Sequence, residues 1–126
     1  MLRTILVFFD GSAESRKAFN LGLEVAVRFE AEVVILRVLA AVEIDALLDQ
    51  KKDYPVRELR DLCLEARDRG INCRYRADVG DTVERIIQAS GELDANLLIV
   101  NRKPLTPWQL RIQRVIDAAG SLMTVV

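Results

Sequence analysis

Short, largely apolar segments alternate with longer amphipathic segments along this chain of 126 residues. A continuous apolar run is typical of a parallel strand, because helical crossovers cover both faces of a parallel sheet. Predicted strands lie at Ile5–Phe9, Val33–Leu39, Ile71–Ala77, Leu97–Val100 and Leu122–Val126. The third of them, INCRYRA, alternates instead, which predicts a less covered strand near an edge of the sheet.

Helix signals occupy the intervals between the strands. Ser12, Asp81 and Thr106 are predicted N-caps, Asp81 within the capping box DTVE and Thr106 directly before a proline. Pro55 suits the start of the second helix and Gly70 its end, while 40–54 is predicted as a connection with a short helical piece. The predicted buried faces are Ala18, Leu21, Val25, Ala26 and Phe29; Val56, Leu59, Leu62, Cys63 and Ala66; Ile86, Ile87 and Ala89; and Trp108, Ile112, Val115, Ile116 and Ala119.

This β-α-β-α-β-α-β-α-β order predicts one α/β domain over residues 1–126. We expect a doubly wound, five-stranded parallel sheet in the order 3-2-1-4-5, with helices on both faces. Its switch point then lies between the first and fourth strands, where ligands bind outside the carboxyl ends of the strands. That crevice would lie between the segments FFDGS and VNRKP.

Composition excludes several classes of function. The formal net charge is −1, so we expect neither nucleic acid nor a membrane as a partner. The chain contains no histidine, which disfavours hydrolytic and metal chemistry, and we predict no catalytic residue and no metal site. No apolar run reaches the roughly 18–20 residues that span a bilayer, and the first strand begins too early for a signal peptide, which predicts a cytoplasmic location. Cys63 and Cys73 are predicted to be reduced, buried thiols.

Asp10 follows the first predicted strand directly and has two interpretations. Its carboxylate can accept hydrogen bonds from Ser12 or its neighbours and so hold the turn. Alternatively it contacts a ligand in the crevice. Gly11 serves a backbone requirement in either case.

Several segments together resemble the universal stress protein family over essentially the whole chain. The opening ILVFFDGSAESRKAFNLGLEVA, the second strand VVILRVLA, the segment ADVGDTVERIIQASGELDANLLIV and the final LMTVV carry the resemblance. It implies an adenine nucleotide alpha hydrolase-like fold and a role in a stress response. It also implies a homodimer that pairs its final strands, here Leu122, Met123, Thr124, Val125 and Val126.

Nucleotide-binding members of that family have a phosphate-binding loop after the fourth strand. Its pattern is Gly-x-x-Gly, followed by about nine residues and then by Gly-Ser or Gly-Thr. Here the segment NRKPLTPWQL follows Val100, no glycine occurs before Gly120, and the connection is shorter than the family pattern by about six residues. Backbone N–H groups cradle phosphates, and Pro104 and Pro107 each lack one. We therefore predict a degenerate loop that does not hold ATP, with Arg102 and Lys103 as a solvated rim and Trp108 as a core aromatic residue.

Three functions of different classes remain. The first is a non-catalytic domain without a cofactor that acts as a homodimer or with another protein. The second is a module that binds ATP, AMP (with Mg) or another adenine compound at Asp10, Gly11, Ser12, Val38, Leu39, Asn101, Arg102 and Lys103. The third is an enzyme such as a nucleotide hydrolase. A phospho-accepting receiver domain would need clustered acids, whereas Asp10 and Asp78 end strands that we place apart.

Overall fold

A computed structural model of the chain describes residues 2–39 and 54–101, together with the backbone of residues 122–125. In these ranges the structure contains three helices and five strands. Their bounds are β1 Thr4–Phe8, α1 Ala13–Phe29, β2 Glu32–Leu39, α2 Tyr54–Asp68, β3 Cys73–Val79, α3 Thr82–Glu92, β4 Leu97–Val100 and β5 Leu122–Val125. Of the predicted connection at 40–54, residues 40–53 lie outside the described residues, as does the predicted fourth helix with Trp108, whereas Tyr54 already belongs to α2.

The strands form one parallel sheet in the order β3-β2-β1-β4-β5. In the centre, Phe8 of β1 lies opposite Leu36 of β2, and Val7 lies opposite Ile99 of β4. The α/β class with a parallel sheet is therefore confirmed. Because β1 lies between β2 and β4, the chain reverses its winding direction there, and the carboxyl ends of β1 and β4 open on a common crevice.

Helices cover both faces of the sheet, which explains why the central strands are apolar on both sides. On one face, α1 and α2 pack against side chains such as Ile5, Val7 and Ile35. On the other face, α3 packs against Leu6, Val34 and Leu98 through its own buried residues. These two layers bury β1 completely between Ile5 and Phe8 and so fix the position of the turn that follows it.

Two of the three predicted N-caps, Ser12 and Asp81, lie in the described residues, and both form; Thr106 lies outside them. Ser12 is the N-cap of α1, and its side chain accepts a hydrogen bond from the backbone N–H of Ser15. Asp81 is the N-cap of α3 and accepts from the backbone N–H of Glu84. Each side chain thus satisfies a donor that an isolated helix leaves unpaired.

The predicted buried face of α1 is partly wrong. Phe29 is 57% exposed, whereas Phe19 is fully buried although it was not assigned to the face. The residues of α1 that are buried are Ser15, Ala18, Phe19, Gly22, Leu23 and Ala26. The stripe centres on Gly22, where a Cβ would lie only 2.9 Å from Val7 Cγ2, so the helix lies closest to the sheet at a residue without a side chain.

The edge strand β3 begins and ends two residues later than the predicted Ile71–Ala77. Ile71 instead donates its backbone N–H to the carbonyl of Ala66 and so closes the end of α2. Within β3 only Cys73 is buried, and its remaining residues are exposed or half-buried. The prediction of a poorly covered strand at an edge is therefore confirmed. None of the helices in the described parts of the chain is both long and apolar enough to cross a membrane.

Candidate functional site

The turn after β1 is organised by Asp10. Its Oδ1 accepts hydrogen bonds from the backbone N–H of Ser12 at 3.0 Å and from the Ser12 hydroxyl at 2.5 Å. Ser12 in turn caps α1, so the carboxylate fixes the start of that helix as well as the turn. The turn-holding interpretation of Asp10 is therefore supported by direct contacts.

Gly11 has a backbone conformation that other residues rarely adopt, with φ at +86°. A Cβ at this position would lie 3.0 Å from Arg37 Nη1 and 3.5 Å from Glu58 Oε1. Arg37 of β2 and Glu58 of α2 thus lie beside the turn. Glycine is required here because of the dihedral angle and because two charged side chains approach the backbone closely.

Asn101 lies directly after β4 and is 1% exposed. Its Nδ2 faces Asp10 Oδ2 at 3.5 Å, so the crevice brings the ends of β1 and β4 together as the topology requires. The other polar atom of this side chain, Oδ1, is buried and accepts no hydrogen bond within the described part of the chain. A buried carbonyl without a donor costs free energy, which is commonly recovered by a ligand or an ordered water.

Six of the eight residues predicted for the ligand site lie in the described ranges. Asp10, Gly11, Ser12 and Asn101 meet at the crevice, as the contacts above show. Val38 and Leu39 end the neighbouring strand β2, where the backbone N–H of Phe9 bonds to the carbonyl of Leu36 and keeps the two strands in register. Arg102 and Lys103 lie outside the described residues. Of the predicted dimer strand, only the backbone of 122–125 is described.

Sequence reasoning missed Arg37 and Glu58 as neighbours of this turn. The one available signal was Arg37 itself, a single charge within the apolar segment VVILRVL. A charged residue in a strand covered on both faces is accommodated most easily where the strand leaves the core. Arg37 therefore adds positive charge to the same end of the sheet as Asp10.

The acidic cluster of a receiver domain does not form. In the sheet, β2 separates β3 from β1, and so Asp78 is not adjacent to Asp10. Asp78 instead pairs with Arg76, whose Nε lies 2.8 Å from its Oδ1, and this contact raises the pKa of Arg76. Arg76 also contacts Glu92 at 2.7 Å, and hydrogen bonds from Gln88 and then Arg76 lower the pKa of that carboxyl.

The described residues of the crevice include polar groups that can contact a ligand. Asp10 is already engaged by Ser12, and the chain contains no histidine that could act as a general base. Among the described residues, no group of three or more cysteine or acidic side chains is arranged to hold a metal ion. A buried carbonyl, a positioned carboxylate and nearby charged residues are suited to recognising polar groups of a ligand.

A family model for the universal stress protein family matches residues 1–117. No curated protein matches the chain.

Solved structures similar to this chain come from bacteria, plants and archaea. A universal stress protein family member from Burkholderia pseudomallei is 23% identical over 98% of this chain and 94% of that chain, with a TM-score of 0.77. An Arabidopsis thaliana family member with AMP bound is 16% identical, covers 98% of this chain and 90% of that chain, and has a TM-score of 0.74. A universal stress protein from Archaeoglobus fulgidus in complex with dAMP is 13% identical, with coverage of 99% and 97% and a TM-score of 0.70. At these identities the structures establish the common fold.

Proposed function

We propose that this chain, which belongs to the universal stress protein family, acts as a non-catalytic domain that works by association in a stress response. The association is a homodimer formed through β5, or a complex with another protein at the same strand. The proposal includes a cytoplasmic location and no nucleic acid or membrane as a partner. ATP is not a ligand in it.

The observation that carries the proposal is the position of β5. It pairs with β4 on one side and is the outermost strand of the sheet on the other. Its sequence, LMTV, is apolar, although an outermost strand exposes a row of backbone donors and acceptors. An apolar strand with an open backbone edge favours pairing with another strand, and pairing with an identical copy gives a self-complementary contact.

The segment after β4 supports the exclusion of ATP. Between Val100 and Gly120 the chain has no glycine, and Pro104 and Pro107 lack N–H groups. A triphosphate is then left with the charges of Arg102 and Lys103, and ion pairs made by surface side chains contribute at most about 1 kcal/mol each. That is too little to offset the freedom that a bound ligand loses.

Sedimentation analysis of Val125→Pro tests the dimer. The wild-type protein is expected to be a dimer at tens of micromolar, and Val125→Pro is expected to be monomeric because proline has no backbone N–H and interrupts strand pairing. The matched control is Val79→Pro at the end of the opposite edge strand β3, which is expected to remain dimeric. A monomeric wild type, or equal dimers of the wild type and Val125→Pro, would contradict a homodimer through β5.

A second candidate function is favoured by Asn101. Its buried Oδ1 lacks a donor among the described residues, and the N–H or O–H of a ligand in the crevice would supply one. The structures with AMP and dAMP show that proteins of this fold hold adenine nucleotides. The ligand proposed here is an adenine compound without a triphosphate, which relies on apolar walls and backbone groups such as those of Val38 and Leu39.

Calorimetry separates the two candidates. Titration with ATP and magnesium is expected to give no heat of binding at high micromolar ligand. Saturable AMP binding that is lost in both Asp10→Ala and Asn101→Ala would establish the second function, provided that both variants keep the wild-type circular dichroism spectrum. Saturable ATP binding lost in Asp10→Ala would refute the exclusion of ATP. Mass spectrometry of the denatured protein as purified would identify a ligand carried from the cell.

A further inference from the structure

The two cysteines of the chain face each other. Cys63 lies in α2 and Cys73 begins β3, and their Sγ atoms are 3.2 Å apart. Both side chains are buried, with 3% and 4% exposure, and both are free thiols. A disulfide requires the sulfur atoms to approach to about 2.05 Å, so an approach of roughly 1 Å shared between two side chains converts this contact into a bond.

The surrounding backbone holds the two cysteines in this position. Arg67 Nη2 donates to the carbonyl of Cys73 at 3.1 Å, which ties the last turn of α2 to the start of β3. The turn between them is closed by the backbone bond from Ile71 to Ala66 at 3.1 Å. Cys63 and Cys73 are therefore fixed neighbours, brought together by a short connection between packed elements.

The two thiols are not equivalent. A hydrogen bond from the Cys73 thiol and the charge of Arg67 lower the pKa of Cys63 against the opposing effect of burial. The same hydrogen bond and burial raise the pKa of Cys73. The thiolate is the reactive form of cysteine, so Cys63 is the sulfur that reacts first.

We propose that Cys63 and Cys73 form a redox site in which a small hydroperoxide, such as hydrogen peroxide, produces an intramolecular disulfide between α2 and β3. This site is separate from the crevice at Asp10 and does not depend on a nucleotide or on dimerisation.

The reaction proceeds in two balanced steps. The Cys63 thiolate attacks one peroxide oxygen, the O–O bond breaks, and the leaving hydroxide takes up a proton to become water. Cys73 Sγ then attacks the sulfur of the resulting Cys63 sulfenic acid, the S–O bond breaks, and the departing hydroxide takes the Cys73 proton and leaves as a second water. The two thiols lose two electrons and two protons in total, and the peroxide is reduced to two molecules of water.

Burial determines which oxidants react. With at most 4% of either residue exposed, a bulky disulfide such as oxidised glutathione cannot align with the sulfur atoms, whereas hydrogen peroxide is scarcely larger than water. We therefore expect the site to respond to peroxide and to be inert to thiol–disulfide exchange in the folded protein.

Intact-protein mass spectrometry of the wild type gives the primary test. Brief treatment with hydrogen peroxide is expected to lower the mass by about 2 Da, and a reductant is expected to restore it. After digestion of the oxidised protein, the peptide that contains Cys63 should be found linked to the peptide that contains Cys73. Oxidised glutathione is expected to add no mass. Addition of oxygen to separate cysteines without a mass loss, a disulfide between two chains, or a glutathione adduct on the folded protein would overturn the proposal.

Two serine variants test the order of the steps. In Cys73→Ser, Cys63 has no partner, and its sulfenic acid is expected to be trapped by dimedone. In Cys63→Ser, trapping at Cys73 is expected to be about tenfold slower, because burial and the negative charge of Glu32 raise the pKa of that thiol. Equal trapping in the two variants, with both retaining the wild-type circular dichroism spectrum, would refute the assignment of Cys63 as the first nucleophile.

Discussion

Asn101→Leu is expected to stabilise the ligand-free protein while removing a polar contact from the crevice. Leucine has the same branched arrangement of side-chain heavy atoms as asparagine but no polar atom. The buried Oδ1 accepts no hydrogen bond among the described residues, and such a group costs about 1–3 kcal/mol. The substitution also removes the contact from Nδ2 to Asp10, but at 3.5 Å this lies at the limit of a hydrogen bond and contributes little.

The matched control is Asn96, at the opposite end of the same pair of strands. Its Oδ1 accepts from the backbone N–H groups of Arg3 and Thr4, at 2.8 and 2.9 Å. Each of these hydrogen bonds contributes about 0.5–1.5 kcal/mol. Because the site is partly exposed, we expect a value in the lower part of the range for the two bonds together, so that Asn96→Leu lowers the free energy of unfolding by about 1–2 kcal/mol. Asn101→Leu is expected to raise it by about 1–2 kcal/mol. The same change thus has opposite signs at the two positions.

Urea unfolding of both variants, followed by circular dichroism, measures the two free energies. Leucine at position 101 could clash with its neighbours and so hide the stabilisation. Asn101→Ala removes the same carbonyl without adding volume and therefore controls for such a clash. A loss of more than about 1 kcal/mol in Asn101→Leu and Asn101→Ala alike would refute the reasoning, because it would mean that the carbonyl of Asn101 has a donor in the ligand-free protein.

Three further predictions concern single side chains. Gly22→Ala is expected to lower the free energy of unfolding by about 1–3 kcal/mol, because its Cβ would meet Val7 Cγ2 at 2.9 Å. The control Gly91→Ala, whose Cβ would have nothing within 4 Å, is expected to raise that free energy by about 0.5–1 kcal/mol. Equal effects of the two variants in urea unfolding would contradict this. Gly11→Ala is expected to cost about 1–2 kcal/mol because φ is +86°, and an unchanged thermal melt would show that the turn adapts. Trp108→Ala is expected to cost about 3–5 kcal/mol if the ring lies on the buried stripe that the sequence predicts, and a parental melting temperature would indicate an exposed ring.

Beyond the α/β class and its parallel sheet, the details that the sequence predicts correctly are mostly local ones. The caps Ser12 and Asp81 depend on residues within one turn of each helix, and the turn at Asp10 depends on a neighbour two positions away. In these cases the side chain and its partner are close along the chain. Their geometry therefore follows from residue type and spacing without knowledge of the packing.

The buried face of α1 shows where this approach fails. Helical periodicity is consistent with a hydrophobic stripe that includes Phe29. The closest contact of the helix with the sheet, however, is at Gly22, which has no apolar side chain and is therefore not recognised as part of such a stripe. The absence of a side chain lets the helix approach Val7 at Gly22, and the residues around this point, including Phe19, are buried. Phe29 is the last residue of α1 and is exposed. Close approach between elements is a property of the pair of surfaces and is not visible in either segment alone.

The same reason explains what was missed at the candidate sites. Burial was predicted for Cys63 and for Cys73 separately, but their mutual contact depends on how α2 lies against β3. The proximity of Arg37 to Gly11 likewise depends on the register between β1 and β2. Positions that are distant in sequence meet only through the tertiary structure.

The two outer strands of the sheet differ, and this difference limits the size of any assembly. The strand β3 carries charges held in ion pairs, including Arg74 with Glu32 and Arg76 with Asp78, whereas β5 is apolar. A further strand arriving at β3 would have to displace or desolvate those charges, so the sheet can be extended at one border only. When two copies join through β5, each uses its single extendable border, and the combined sheet then ends in β3 on both sides. In the homodimer proposed above, growth would therefore stop at two chains, and the charged border would oppose the edge-to-edge pairing that builds fibres.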